Sequence, residues 1–257
     1  MSESQKAQVQ AQFGPSAHAY VKSKGHAGGP DLDWLVSWGR KRAARRVLDI
    51  ATGGGHTALA FSAFTPSVVA VDLTLRMLEA ARDFSIREGA RIQFVGADAE
   101  ALPFQDATFG TVTCRIAAHH FPALLPPLRQ VARVLRPGGS FLAQDILGHD
   151  DEEAAAFIIE VERRRDPSHV RAYRQLEWVA FLRAAGLTVM DETVMTKVRP
   201  WDEWTGRMRM TPEARASLDR FVLAAPARCR EAFDFVIDGD RVVSFTDRML
   251  LLRADRD

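Results

Sequence analysis

Short apolar runs separated by helix-length amphipathic stretches dominate the first 150 residues. The run Val47 to Ile50, the run Ser67 to Asp72, the run Arg91 to Val95 and the run Phe109 to Arg115 each read as a strand, and a fifth follows the turn Leu135-Arg136-Pro137-Gly138-Gly139. Strand and helix in alternation predict a mainly parallel sheet with helices on both faces. Three segments break the rhythm: residues 1 to about 45, closing with a helix begun near Gly29-Pro30-Asp31; about 150 to 174; and about 199 to 235, where Trp201, Trp204 and Met208 share one helical face. In an open α/β sheet, ligands bind beyond the carboxyl ends of the strands, so these segments are expected to form a lid there. The chain finishes with Val236-Ile237 and Val242-Val243 around the turn Asp238-Gly239-Asp240, then an apolar strand from Arg248 to Arg253.

The stretch VLDIATGGGHTALAF, Val47 to Phe61, joins the first strand to a helix through three consecutive glycines. Glycine reaches positive φ without penalty and has no Cβ, so this turn can approach a ligand with its main chain. The spacing Gly53-x-Gly55-x-x-Ala58 also satisfies the loose dinucleotide pattern, and the glycines alone therefore leave NAD open. Asp49 argues against a pyrophosphate at the turn, because a carboxylate there repels phosphate and attracts the ammonium beside the sulfonium of S-adenosylmethionine. Asp72 lies near the roughly 20-residue offset at which such folds hold ribose hydroxyls. Asp98, in Gly96-Ala97-Asp98-Ala99, is placed to accept from an adenine amino group, though a cap or solvated turn accounts for it equally well.

These motifs, with VDLTLRML, GADAEALPFQDATFGTVTCR and VARVLRPGG in that order, resemble the class I S-adenosylmethionine-dependent methyltransferases, within them the ubiquinone/menaquinone C-methyltransferase-like group, over residues 10 to 190. The resemblance implies a Rossmann-like doubly wound, seven-stranded α/β sheet with an antiparallel last strand, and one methyltransferase domain over 1–257 carrying helical lid insertions. It further implies that Asp49, Ala51, Gly53 and Gly55 line the methionine end, Asp72 the ribose, Leu73 and Met77 the adenine flank, and Asp98 with Ala99 its edge. Ala51 stands where the family usually has a glycine, and Met77 reads equally as core. Arg115, closing the fourth strand, is assigned to the cofactor side. Tyr20 and His26 belong to a segment that folds over the cofactor in similar enzymes, the alternative being a solvated arm.

Methyl transfer from a sulfonium is an in-line displacement, and some acceptors need a base. His119 and His120 follow the fourth strand, nearest the transferred methyl in this family; His119 is expected to face the cofactor and His120 either way. Adjacent histidines lack metal-site spacing, so no metal is expected. His169 is a candidate from the second irregular segment, although Asp166-Pro167 beside it reads as a helix start. Asp145, ending the fifth strand, is expected to face the cleft, a cap being its alternative. The residues Trp201, Trp204, Met208 and Phe221 hint at a lipophilic acceptor, though such a stripe is usually helix packing.

Composition narrows the partners. The 257 residues are 47% hydrophobic and 26% charged, with a formal charge of +1, so no basic field calls for nucleic acid. The run Arg163-Arg164-Arg165 reads as a solvated helix face. Two cysteines, Cys114 and Cys229, provide no disulfide framework, and no 18-residue apolar run or signal pattern is present. The expectation is a cytoplasmic enzyme, monomer or homodimer, that methylates a small molecule. An NAD-dependent oxidoreductase and a non-catalytic S-adenosylmethionine-binding protein are the alternatives.

Overall fold

The computed structural model describes residues 1–21, 27–42, 44–208 and 210–257. Its strands are β1 (Arg46–Ile50), β2 (Ser67–Asp72), β3 (Ile92–Gly96), β4 (Phe109–Arg115), β5 (Leu135–Ile146), β6 (Leu187–Pro200), β7 (Val236–Asp238) and β8 (Arg241–Arg256). They form one sheet of order β3-β2-β1-β4-β5-β8-β6, with β7 paired to β8 off this path. Neighbours among β1 to β5 are parallel, and β8 runs antiparallel to both β5 and β6. The main path thus has seven strands with an antiparallel last strand. The eighth, β7, is the three-residue first arm of the terminal hairpin, whose turn holds Gly239 at φ +59°. No apolar run announces β6, because this edge strand leaves most of its residues exposed or half-exposed.

The helices are α1 (Glu3–Phe13), α2 (Ala17–Val21), α3 (Pro30–Arg42), α4 (His56–Ser62), α5 (Leu75–Arg87), α6 (Leu125–Val134), α7 (Glu152–Arg165), α8 (Gln175–Ala184), α9 (Trp201–Gly206), α10 (Pro212–Leu223) and α11 (Ala227–Glu231). Strand side chains alternate between faces, and both faces are covered. Val47, Val68 and Ala70 pack with Leu35 and Trp38 of α3 and Ala58 and Phe61 of α4. Leu48, Ile50, Val69 and Val71 pack on the opposite face with Leu128 and Val131 of α6 and Trp178 and Leu182 of α8. Burial on both sides is why these strands read as continuous apolar runs. Cys114 lies in this core.

Beyond β5 the sheet changes character. Ile146, the last residue of β5, pairs with Met249, but the β6–β8 ladder continues to Pro200 opposite Ser244. Five further residues project about 17 Å past the carboxyl end of β5. A separate apolar cluster sits on this overhang, joining Phe157 and Val161 of α7, Trp201 and Trp204 of α9, Leu218 and Val222 of α10, and Phe245 of β8. The second and third irregular segments are therefore helices with a core of their own.

Three local expectations are corrected here. Asp166-Pro167 does not begin a helix: Asp166 caps the end of α7, and its Oδ1 accepts from the Ser168 amide at 2.9 Å to form a turn. The three arginines are not merely solvated. Arg163 donates to the Val170 carbonyl, Arg164 lies over Phe221, and Arg165 lies over Trp204 while donating to its carbonyl at 2.9 Å. Trp201 is fully buried, its Nε1 donating to Asp219 at 2.6 Å, so it belongs to the helix core, whereas Trp204 packs beside it and also lines a cavity.

Candidate active site

The chain order reverses between β1 and β4, the topological switch point where doubly wound sheets hold ligands. A concave cleft opens there, lined by apolar side chains and a few polar groups as small-molecule sites usually are. The turn after β1 forms its floor through Ala51, Thr52, Gly53 and Gly54, and α4 adds His56 and Thr57. Gly53 has φ +53°, and a Cβ on it would touch only the Met77 methyl at 3.5 Å, so main chain faces the cleft. A Cβ on Gly54 would instead press on the backbone of Tyr20 and Val21, at 3.2 to 3.3 Å. That glycine lets α2 close over the turn, and His56 Nε2 ties to the Tyr20 carbonyl at 3.1 Å.

Asp72 organises this side. Its Oδ2 accepts from the Gly53 amide at 2.9 Å and its Oδ1 from the Thr74 amide at 2.8 Å, fixing the glycine turn against the end of β2. Burial raises its pKa, against the pull of these amides. Leu73, Met77, Ala97 and Ala99 complete an apolar flank. Asp98 is not in the lining; its carboxylate pairs with Lys6 at 3.1 Å and accepts from the Glu100 amide at 2.9 Å, because α1 lies across the strand ends. Asp49 also lies outside the lining, buried beneath the turn. Its oxygens accept from Thr52 and Thr113 hydroxyls, both at 2.6 Å, and burial pushes its pKa up to about 6. Gly55 is a packing glycine, at φ +81°, where a Cβ would meet Ala81 at 3.1 Å. Arg115 lines the cleft and pairs with Asp31 at the start of α3, Nε at 2.8 Å. His26 lies outside the described residues.

A second, polar cavity of about 540 Å³ adjoins the first. Phe13, Tyr20, Ile116 and His120 line both, so they stand at the border the two share. The aromatic members are held edge to face, Phe13 with Tyr20 at 5.4 Å and Phe13 with His120 at 5.1 Å. Ile116 has φ +55°, an outlying conformation for a β-branched residue, kept in place by its amide bond to the Gln144 carbonyl at 2.8 Å.

His119 lies on the second cavity alone, so the assignment of this histidine to the cofactor side is corrected; His120 is the one at the junction. His119 Nδ1 meets Asp145 Oδ1 at 2.6 Å. Asp145 lines neither cavity, since its oxygens also accept from the Ala117, Ala118 and Ile146 amides and brace the short turn Ala118–His120. Burial opposes charge on His119, but the Asp145 charge and hydrogen bond outweigh it and raise the pKa above the usual 6.5. Asp145 is correspondingly lowered by His119 despite its burial. His120 is brought down to about 4 by burial and by the charge of His119, with Nδ1 at 3.1 Å from the Ser168 carbonyl. His169 lines neither cavity: it stacks behind His119, ring centroids 5.2 Å apart, and burial with both neighbouring histidines keeps it neutral. Among the described residues no cluster of histidine, cysteine and acid converges on a metal position.

The rest of the second cavity escapes any short motif. Glu162, Arg165 and Asp166 come from α7 and its cap, Trp204 and Arg207 from α9 and its end, and Arg199 with Asp247 from the β6–β8 overhang. Arg199 and Asp247 meet at 2.5 Å although 48 residues apart. Thr52, Gly54, His56 and Thr57 were within reach of the glycine motif, being its own intervening residues. Nothing local marks the charged set.

A doubly wound sheet with a glycine turn at its switch point and a carboxylate closing β2 defines a protein built to hold a nucleoside-bearing cofactor. A family model described as a methyltransferase domain matches residues 48–143. The Bacillus subtilis protein called uncharacterized methyltransferase YcgJ is 34% identical over 244 residues, covering 94% of this chain and 96% of its own length. The crystal structure of Bacillus subtilis YcgJ superposes with a TM-score of 0.84 at 33% identity, over 88% of this chain and 97% of that one. The ubiquinone/menaquinone biosynthesis C-methyltransferase UbiE of Pseudomonas putida is 42% identical over 106 residues, 39% of this chain and 41% of its own length. The chain belongs to the class I S-adenosylmethionine-dependent methyltransferases, with a UbiE-like relationship. The family's methyl donor is S-adenosylmethionine, and the NAD alternative falls away. No helix among the described residues is long and apolar enough to cross a membrane.

Proposed function

We propose that residues 1–257 act as one cytoplasmic methyltransferase domain that passes a methyl group from the first cavity to a small-molecule acceptor in the second. The observation that carries this reading is that Phe13, Tyr20, Ile116 and His120 line both the cofactor cleft and a cavity containing His119, so the two spaces share a border at which donor methyl and acceptor atom can meet. S-adenosylmethionine supplies an electrophilic methyl on a sulfonium. The cleft residues fit it: Asp72 for the ribose, Leu73, Met77 and Ala99 for the adenine, and the main chain of Ala51 to Gly54 for the methionine portion.

The protein's part is alignment and exclusion of water, worth roughly 7–11 kcal/mol where geometry is right. Helices α1 and α2 close the cleft, α1 reaching both sides through Gln10 to the Leu73 carbonyl at 3.0 Å and Gln5 to the Ser168 carbonyl at 2.9 Å. Asp145 positions His119 by taking Nδ1, which leaves Nε2 as the nitrogen that can receive an acceptor proton. His120, neutral near pH 7 through burial and the charge of His119, stands at the border of the two cavities.

Calorimetric titration with S-adenosylhomocysteine and, separately, NAD tests the cofactor assignment. Binding of the former alone, weakened about 100-fold or more in Asp72→Ala by loss of charge-assisted hydrogen bonds, is the expected result. NAD binding, or an unchanged affinity in the variant, sinks it.

A further inference from the structure

We propose that the acceptor bears a single carboxylate, received by the guanidinium of Arg207 in the second cavity. The inference deepens the reading above and rests on it for the word acceptor. It starts from a charge left without a partner. Arg199 is matched by Asp247 at 2.5 Å, and Arg165 by Glu162 at 3.4 Å and the Trp204 carbonyl at 2.9 Å. Asp166 spends Oδ1 on the amide and hydroxyl of Ser168, at 2.9 and 2.5 Å. Arg207 lines the same cavity, yet among the described residues its side chain has no hydrogen bond or ion pair, and its Nε is buried.

A buried guanidinium Nε without a partner is costly, and a planar carboxylate can satisfy it together with a neighbouring N–H through two parallel hydrogen bonds. The surroundings add to its pull. Nearby, Lys197 has its pKa lowered by burial and by Arg199, with Asp31 opposing and Arg115 and Arg207 adding smaller contributions, so several cations gather on this side of the fold. The same surroundings limit the charge of the guest. Glu162, Asp166 and Asp247 line the cavity too, so it has no room electrostatically for a dianion such as a phosphate monoester. Arg207 is also held ready. Its amide closes the end of α9 through the Glu203 and Thr205 carbonyls, and Trp201 and Trp204 anchor that helix in the apolar cluster. Next to it, Met208 Sδ receives the Tyr20 hydroxyl at 3.5 Å, linking the carboxylate site to the wall of the cofactor cleft.

The test uses matched probes on the full chain, with and without S-adenosylhomocysteine: benzoate against benzamide, hexanoate against hexanamide, and phenyl phosphate. Binding is read by quenching of tryptophan fluorescence, Trp204 lying in the cavity wall, and by calorimetry. At least one acid is expected to bind about tenfold or more tightly than its amide, as follows from a hydrogen-bonded charge. Arg207→Gln removes that preference, Arg207→Lys restores part of it, and neither changes the affinity for S-adenosylhomocysteine. The proposal is overturned if acids and amides bind alike, if neither acid binds, if phenyl phosphate binds more tightly than both acids, or if Arg207→Gln keeps the preference. Failure of S-adenosylhomocysteine itself to bind strikes the cofactor assignment instead, and the acid and amide comparison on the unliganded chain still reads the Arg207 site.

Discussion

The two cavities meet at one border but are built in opposite ways. The cofactor cleft is made mostly by short segments at the ends of parallel strands, the glycine turn and the residues just after β2, β3 and β4, with the N-terminal helices laid over them. Its polar groups bond mostly to backbone nearby, as Asp72 does with Gly53 and Thr74. The second cavity is assembled largely from α7, α9, β6 and β8, and its Arg199–Asp247 pair joins residues 48 apart in the chain. Backbone geometry can be encoded by a short motif, whereas ion pairs across elements need the whole fold in place. The first cavity is thus a general device for holding a nucleoside, and the second is where chains of this fold can differ.

The contrast is broken most strongly on the second side. Asp247→Ala leaves the buried Arg199 without its carboxylate and is expected to destabilise the fold by about 3–5 kcal/mol, measured by chemical denaturation. Thr52→Ala, which removes one of two hydroxyls bonded to Asp49, is expected to cost only about 1–2 kcal/mol. Equal losses would mean that the two cavities are supported alike.

Catalysis sharpens the comparison next. His119→Ala is expected to lower kcat by about 100-fold, near 2.7 kcal/mol, with little change in S-adenosylhomocysteine affinity. Acting as base, His119 must lose its proton, and its pKa is raised, so kcat should climb with pH through a value above 6.5. Asp145→Asn removes the charge that raises it and should move that limb to lower pH. The same pair has a stability signature: the His119 contribution is full below pH 6.5 and is lost as pH rises through its folded pKa, while that of Asp145 is lost as pH falls below 3.8. A pH profile unaltered in Asp145→Asn would remove His119 from the role of base.

The smallest effect lies in the turn. Ala51 sits at φ +51°, where a Cβ is strained by roughly 1–2 kcal/mol. Ala51→Gly relieves this but frees the unfolded chain, so stability should change by less than about 1 kcal/mol. Thermal unfolding monitored by circular dichroism checks it.

Most of the parallel half was legible from residue pattern. Doubly buried strands such as Ser67–Asp72 are uninterrupted apolar runs, and the glycine turn between β1 and α4 has its own spelling. Beside it, Asp49 and Gly55 belong to the same spelling, yet neither lines the cleft. Strand direction and helix packing put one beneath the turn and the other against Ala81. The edge strand β6 hides too little surface to leave a run, and the histidines could not be ranked while their partners were unknown.

The chain's own order of residues determined the alternation of strand and helix, the switch-point turn and the acid that braces it. These depend on periodicity, on glycine's freedom at positive φ and on hydrogen bonds within a few residues. Tertiary structure alone decided which histidine meets Asp145, that Arg199 and Asp247 pair, and that the Arg207 side chain has no partner among the described residues. Those outcomes depend on the β6–β8 overhang and the helices docked on it, and charge interactions are set by distance in space rather than by separation along the chain.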